Sequence, residues 1–221
     1  TLGDALTIAN DLTIGANTTL DVSGSDYAIG ISGNFANSGT FTDRSGTVTF
    51  NGTGTLTSGG SELYNVTTNG TGTVTLGDAL TIANDLTIGA NTTLGSGSNR
   101  AITIGGAWSN SGTFTSASGT VTFNGGDAQT VTSGGSDFYN LTTTGSSTAV
   151  TLADAMTIAN DLTIASSSSL DVSGSNYAIG IKGNWSNSAT FVDQAGTVTF
   201  NGGDAQTVTS GGSDFYNLTT T

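Results

Sequence analysis

Gly46–Gly52 reads GTVTFNG, and the same heptapeptide returns at Gly119–Gly125 and Gly196–Gly202, at intervals of 73 and 77 residues. Its alternation puts Val48 and Phe50 on one side of an extended chain and Thr47 and Thr49 on the other. That period of two, rich in β-branched residues, is the pattern of a half-buried strand. The closing Asn-Gly is a turn signal. The heptapeptide is therefore one strand and one corner, used three times.

The frame around it repeats as well. TLGDALTIANDLTIGANTTL starts at Thr1 and again at Thr75, and TLADAMTIANDLTIASSSSL starts at Thr151. The chain divides into units 1–74, 75–150 and 151–221, the last truncated by a stretch equivalent to Gly145–Val150. Length changes fall in turns: TLDVSGSDYAI of the first unit becomes TLGSGSNRAI in the second, and NGTGTLTS becomes NGGDAQTVTS. Inside each unit LTI, SGTFT and YAIGI read as further short strands, separated by GAN, SGS, SGG and GTG. No window shows a helical period.

Strands of three to five residues with a turn every six or seven are too short and too close for an antiparallel sandwich. They fit one chain winding as a parallel β-helix, a β-solenoid, with two or three strands per coil. The expected fold class is all-β, a single continuous solenoid over 1–221 with about four coils per 74–76-residue repeat. The first unit divides as Leu6–Tyr27, Ala28–Ser45, Gly46–Glu62 and Leu63–Ala79. Twelve such coils at about 4.8 Å predict a rod of roughly 57 Å. The expected inward column is Val, Ile and Leu with four aromatic sets: Phe35/Trp108/Trp185, Phe41/Phe114/Phe191, Phe50/Phe123/Phe200 and Tyr64/Tyr139/Tyr216. The alternative for these aromatics is an exposed sugar-stacking stripe.

Composition agrees with the solenoid. There is no Pro, and a Pro in a coil deletes a ladder hydrogen bond. Gly and Ser suit narrow corners. Only 9% of residues are charged, and three cations, Arg44, Arg100 and Lys182, face sixteen acids for a net charge of −13. Such a chain repels nucleic acid and anionic membranes, and no apolar run is long enough for a membrane-spanning helix. No Cys means no disulfide framework.

The combination GTVTFNG, SGG followed by DFYNLTT, TLGDALTIANDLTI and SGNFANSGTFT resembles the repeats of giant bacterial surface proteins. These are the filamentous-haemagglutinin-like, adhesin-type β-solenoids. The resemblance spans the whole chain. It implies a right-handed parallel β-helix, secreted or displayed on a bacterial surface, with an extracellular or cell-surface location.

The search for chemistry expects no enzyme. A triad, a metal-bound water or a thiolate nucleophile draws on His or Cys, and the chain has neither. Carboxylate pairs remain: Asp4 with Asp11 and Asp21 with Asp26. Asp4/Asp78/Asp154 and Asp11/Asp85/Asp161 recur in every unit, which favours turn-forming Asp bonded to nearby backbone N–H groups over a single catalytic cleft. Asp21–Asp26, DVSGSD, lacks the alternating acids of a calcium loop. Thr47/Thr49, Thr73/Thr75, Thr120/Thr122 and Thr197/Thr199 are candidates for a water-ordering Thr face, against the ordinary use of Thr on outer strands. Asn17, Asn65 and Asn140 head Asn-x-Ser/Thr sequons, which such a composition produces freely. No catalytic, cofactor-binding or metal-binding residue is assigned, and no cofactor is expected.

Neither end of the repeat array shows a capping helix or a charged cluster. Two expectations follow: a piece of a longer array, or end-to-end self-association into a filament. The expected role is a structural extracellular fibre, rod or stalk. The alternative is an adhesin segment that contacts glycan or another surface; a remote third is a polysaccharide-active enzyme with an acidic dyad.

Overall fold

The computed structural model describes all 221 residues. It contains 29 strands and no helix, and every pairing is parallel. The chain climbs from face to face of a three-sided coil. The first face is a single sheet of ten strands, from Leu6–Ile8 to Thr190–Val192. The second carries a six-stranded sheet that starts at Leu12–Ile14, then the Phe138 bridge to Ile158, then a four-stranded sheet. The third carries the pair Thr19–Asp21 and Thr40–Thr42, then the Leu63 bridge to Ile82, then seven strands.

Register follows the alternation read from the sequence. Leu6, Ile29, Val48, Val66 and Leu86 stack one above another on the first face, 18 to 23 residues apart. Each inward residue rests on the inward residue of the next coil, because parallel ladders keep side-chain phase from strand to strand. The result is a core of 41 buried apolar residues running through the whole array. Val48 and Phe50 are in it; Thr47 and Thr49 look outward.

Three points depart from the sequence reading. The count of about four coils per repeat resolves to slightly fewer, so the total falls below twelve. Each complete repeat supplies ten strands plus one bridge residue, Leu63 or Phe138, and eleven segments over three faces make three and two-thirds turns. The division at Leu63 fails because that residue lies on the third face against Ile82, while Val66 starts the next coil on the first. About ten turns then give a rod of about 50 Å, shorter than twelve coils imply. A second consequence is rotation: the GTVTFNG strand lies on the first face in repeat one, the third in repeat two and the second in repeat three.

The third point concerns the tyrosines. Tyr64 and Tyr139 are only half-buried and Tyr216 is exposed. The inward place belongs to the residue before each, Leu63, Phe138 and the partly buried Phe215. The SGG turn just upstream resets the phase. Gly59, Gly134 and Gly211 hold φ near 62°, and a side chain there meets the carbonyl of Asn37, Asn110 or Asn187. The other three aromatic sets are buried, with Trp108 stacked edge-on to Phe114 at 4.8 Å and to Phe138 at 5.1 Å.

Leu86 is fully buried at the middle of the first face. Truncating it leaves a cavity that stacked coils cannot close. Leu86→Ala is expected to cost about 2–5 kcal/mol, read as a fall in the urea midpoint of the far-ultraviolet circular dichroism signal.

Candidate functional site

A dense arrangement of polar side chains forms a seam beside the SGG turns, with the same asparagine and serine contacts in each repeat. It starts where a ladder is interrupted. Leu63 pairs upward with Ile82, but no backbone bond joins its segment to Thr40–Thr42 below. Side chains replace the missing bonds. The Phe41 N–H donates to Ser61 Oγ at 3.3 Å, and the Tyr64 N–H donates to Asp43 Oδ2 at 2.6 Å. Asn37 sits buried under the turn. Its Nδ2 donates to the Ser58 carbonyl at 2.7 Å and to Ser61 Oγ at 2.9 Å, while its Oδ1 accepts from the Gly39 N–H. Asn110 and Asn187 repeat these contacts with Ser133/Ser136 and Ser210/Ser213. The motif NSGTF, NSATF in the third repeat, followed by SGGS is thus one device that keeps buried polar groups satisfied where strand pairing lapses.

The recurrent aspartates close the seam from above. Asp78 accepts from the Ser58 N–H at 2.9 Å and the Gly59 N–H at 2.7 Å, and Asp154 does the same for Ser133 and Gly134 at 2.7 and 2.8 Å. Asp11, Asp85 and Asp161 each accept at 2.7 Å from a backbone N–H of the next coil, that of Asn34, Ala107 or Asn184. These are not local turn contacts. The bonded residues are 19 to 23 positions apart, so the carboxylates staple coil to coil. Asp78 and Asp85 stand on either side of the strand Leu80–Ile82 and bond to different turns, so they do not converge on a shared cleft. No pocket is found, and no three metal-ligating side chains cluster.

Asp21 and Asp26 also have separate partners. Asp21 takes a bidentate pair from Arg44, 2.7 Å to Nε and 2.6 Å to the second guanidinium nitrogen. That pair, helped by the Ser23 N–H, holds its carboxyl down to about 2. Asp26 accepts from the Ser45 N–H at 3.1 Å. In the third repeat Gln194 reaches Asp171 at 3.3 Å in place of the arginine.

The Thr pairs do not form one face. Thr47/Thr49 lie on the first, Thr73/Thr75 and Thr197/Thr199 on the second, and Thr120/Thr122 on the third; the equivalent pairs at Thr47, Thr120 and Thr197 are separated because each repeat is rotated relative to the last. Asn17 is exposed in a turn at φ 62°. Asn65 and Asn140 instead accept from Asn84 and Asn160 of the next coil at 2.9 and 2.8 Å. The sugar-stacking stripe loses Phe35, Trp108 and Trp185 to the core, and the two indole N–H groups are buried without a partner.

Asp43 was not singled out by the sequence, since Ser116 replaces it in the second repeat. It is buried, with Oδ1 unpartnered. Burial pushes its carboxyl up to about 6 against the downward pull of the Tyr64 N–H, and Asp26 adds to the rise. Comparison with family models, with curated proteins and with solved structures finds no match to this chain.

Two outcomes follow from these carboxylates. Between its ordinary 3.8 and about 6, the native Asp43 carboxyl holds a proton that the unfolded chain releases, so its effect is to raise stability as pH falls through that window. Asp21 acts oppositely: its contribution is present above 3.8 and lost as pH falls towards 2. Asp43→Asn is expected to raise stability at pH 7 by up to about 3 kcal/mol, from roughly two units at about 1.36 kcal/mol each, and to lose that advantage by pH 4. Urea titrations at both pH values check it. Asp154→Ala, which strips two N–H groups of their acceptor, is expected to cost about 1–3 kcal/mol in the same assay.

Proposed function

We propose that this chain is a structural rod, a fibre or stalk segment that works outside a bacterial cell, of the adhesin-type β-solenoid kind its repeats resemble. One observation carries the reading: the residues that recur from repeat to repeat are spent on stacking one coil on the next. The apolar column, the buried asparagines, the SGG turns and the stapling aspartates all join neighbouring coils. Selection for a rod preserves those positions in every repeat. Selection for one catalytic cleft leaves a pair of groups that break the pattern, and the paired acids here are distributed along it.

The mechanism is mechanical. Three columns of backbone hydrogen bonds run nearly parallel to the rod axis, so tension along the axis loads many bonds together. Bonded backbone in short turns offers little unfolded substrate to a protease. A net charge of −13 keeps neighbouring rods apart. On this reading the chain is not an enzyme, takes no cofactor, and meets other molecules through its outer faces or its ends. An adhesive contact with glycan is the second reading, with the outward Thr, Asn and Ser ranks as its surface. The core location of most aromatics weighs against it.

The test pairs electron microscopy with a glycan array. Rods about 50 Å long per molecule, resistant to protease and silent on every sugar, are the expected result. Saturable binding to one sugar class would transfer the role to adhesion.

A further inference from the structure

Four Asn-Gly pairs lie at corners of the coil: Asn51–Gly52, Asn69–Gly70, Asn124–Gly125 and Asn201–Gly202. Three of them are copies of one another, the closing pair of GTVTFNG. The fourth breaks the repeat. Asn69 stands where the second repeat has Thr144 and the third has Thr221, and the N–H groups of these three residues donate to the carbonyls of Phe50, Phe123 and Phe200 at 2.7, 2.8 and 3.1 Å. The geometry at Asn69 is its own. The Gly70 N–H donates to Asn69 Oδ1 at 3.0 Å, a bond between adjacent residues. It sets the Gly70 nitrogen against the carboxamide whose carbon, Cγ, that nitrogen can attack. The other pairs are arranged differently. The Gly202 N–H donates to Gln206 Oε1 at 3.1 Å, Gly125 is packed beside the Gln129 carboxamide, and the Asn51 carboxamide lies over Gly30 of the coil below. Gly70 is also exposed, with exposed Asn69 and Thr71 on either side, whereas Gly52, Gly125 and Gly202 are half-buried. Its φ of 102° is open to glycine, and the missing Cβ leaves its nitrogen unshielded.

We infer that Asn69 is a self-modification site: Gly70 closes on it to form a succinimide, which water opens to aspartate or isoaspartate. Hydroxide takes the Gly70 amide proton and becomes water. The nitrogen bonds to Asn69 Cγ, the Cγ–Nδ2 bond breaks, and Nδ2 leaves as ammonia with a proton from water, which restores the hydroxide. Water then adds to one of the two ring carbonyls. Opening at Cγ keeps the original backbone and leaves a carboxylate side chain. Opening at the main-chain carbonyl carbon of residue 69 routes the backbone through Cγ and lengthens it by one carbon. Nothing is oxidised or reduced, and water is the only co-reactant. Either product adds a negative charge to the corner that joins Asn65–Thr68 on the first face to Thr73–Leu76 on the second. That corner is bonded on both sides: the Asn69 N–H donates to Phe50 O at 2.7 Å, and Gly72 O accepts from the Thr93 N–H at 3.0 Å. A backbone one carbon longer disturbs both bonds, so isoaspartate loosens this corner alone. The mark is written in the first repeat only, since Thr144 and Thr221 have no carboxamide. The chemistry does not depend on what the rod is for.

Hydroxylamine cleaves succinimides and so reports the ring. The 221-residue chain is incubated with and without hydroxylamine, native and in urea, and the products are located by peptide mapping with mass spectrometry. In the native chain, cleavage is expected between Asn69 and Gly70, giving fragments 1–69 and 70–221. Without hydroxylamine, deamidation at Asn69 is expected to run roughly tenfold or more ahead of Asn51, Asn124 and Asn201, the order of advantage that placing reacting atoms in near contact supplies. In urea the four sites are expected to react at similar rates, because their sequence neighbours are alike. The native rate at Asn69 is expected to rise with pH, as attack by a deprotonated amide requires. Asn69→Thr, which matches the second repeat at Thr144, is expected to keep the circular dichroism of the wild type and to resist hydroxylamine over the time that cuts the wild type. The comparison of native chain with urea needs no variant. Native reaction led by any of the other three asparagines overturns the inference. So does a lead of Asn69 that persists unchanged in urea, which assigns the reactivity to local sequence and not to the placement of Gly70. A native chain with no product at residue 69 once the urea sample has reacted, or an Asn69→Thr chain cut as fast as the wild type, overturns it as well.

Discussion

The parallel backbone ladder is the constraint on which everything else depends. A three-residue strand cannot satisfy its own N–H and C=O groups, so every coil takes its hydrogen bonds from the coils above and below. That demand fixes the spacing at one strand width and fixes the phase, because a slip of one residue would turn every inward side chain outward. It explains the absence of Pro and the abundance of corner residues. It also explains why length changes between repeats sit in turns such as Gly97–Asn99, outside the strands.

Where the ladder cannot continue, side chains take over. The segment around Leu63 is too short to pair on both sides, and Asn37, Ser61, Asp43 and Asp78 supply the donors and acceptors that a strand would have supplied. The repair is kept through all three repeats at the asparagine and serine positions. It is loosened at Asp43, whose buried carboxyl costs stability at neutral pH and whose place is taken by Ser116 in the next repeat. Within a stack, a polar residue is tolerated inside when it does the work of a missing backbone group.

Most of the fold was legible because a parallel stack carries phase faithfully. The alternation of Val48 and Phe50 against Thr47 and Thr49 states which way the strand faces, and the repeat lengths state that one pattern is wound repeatedly. The number of turns per repeat was not legible, since three and two-thirds turns and four turns differ only in whether Leu63 opens a coil or closes one. A single bridging residue leaves no alternation to read. The same short segment misled the reading of Tyr64: an aromatic repeated three times looks like core, but the left-handed glycines before it shift the phase by one and give the inward place to Leu63, Phe138 and Phe215. The aspartates were legible as structural and not as inter-coil staples, because their partners lie a full turn away in sequence.

Cross-linking tests the central claim most directly, and the chain's lack of Cys gives it a clean background. Thr122 and Thr142 are direct partners on adjacent coils of the third face, 20 residues apart. Thr122 and Thr115 are seven residues apart and belong to different faces. Parallel stacking predicts that the double variant Thr122→Cys, Thr142→Cys forms a disulfide under mild oxidation, since Cα atoms about 4.8 Å apart lie within disulfide reach, and that Thr115→Cys, Thr122→Cys does not. A bond in the second pair and none in the first would mean that the chain folds back on itself as local hairpins, and the solenoid would be wrong.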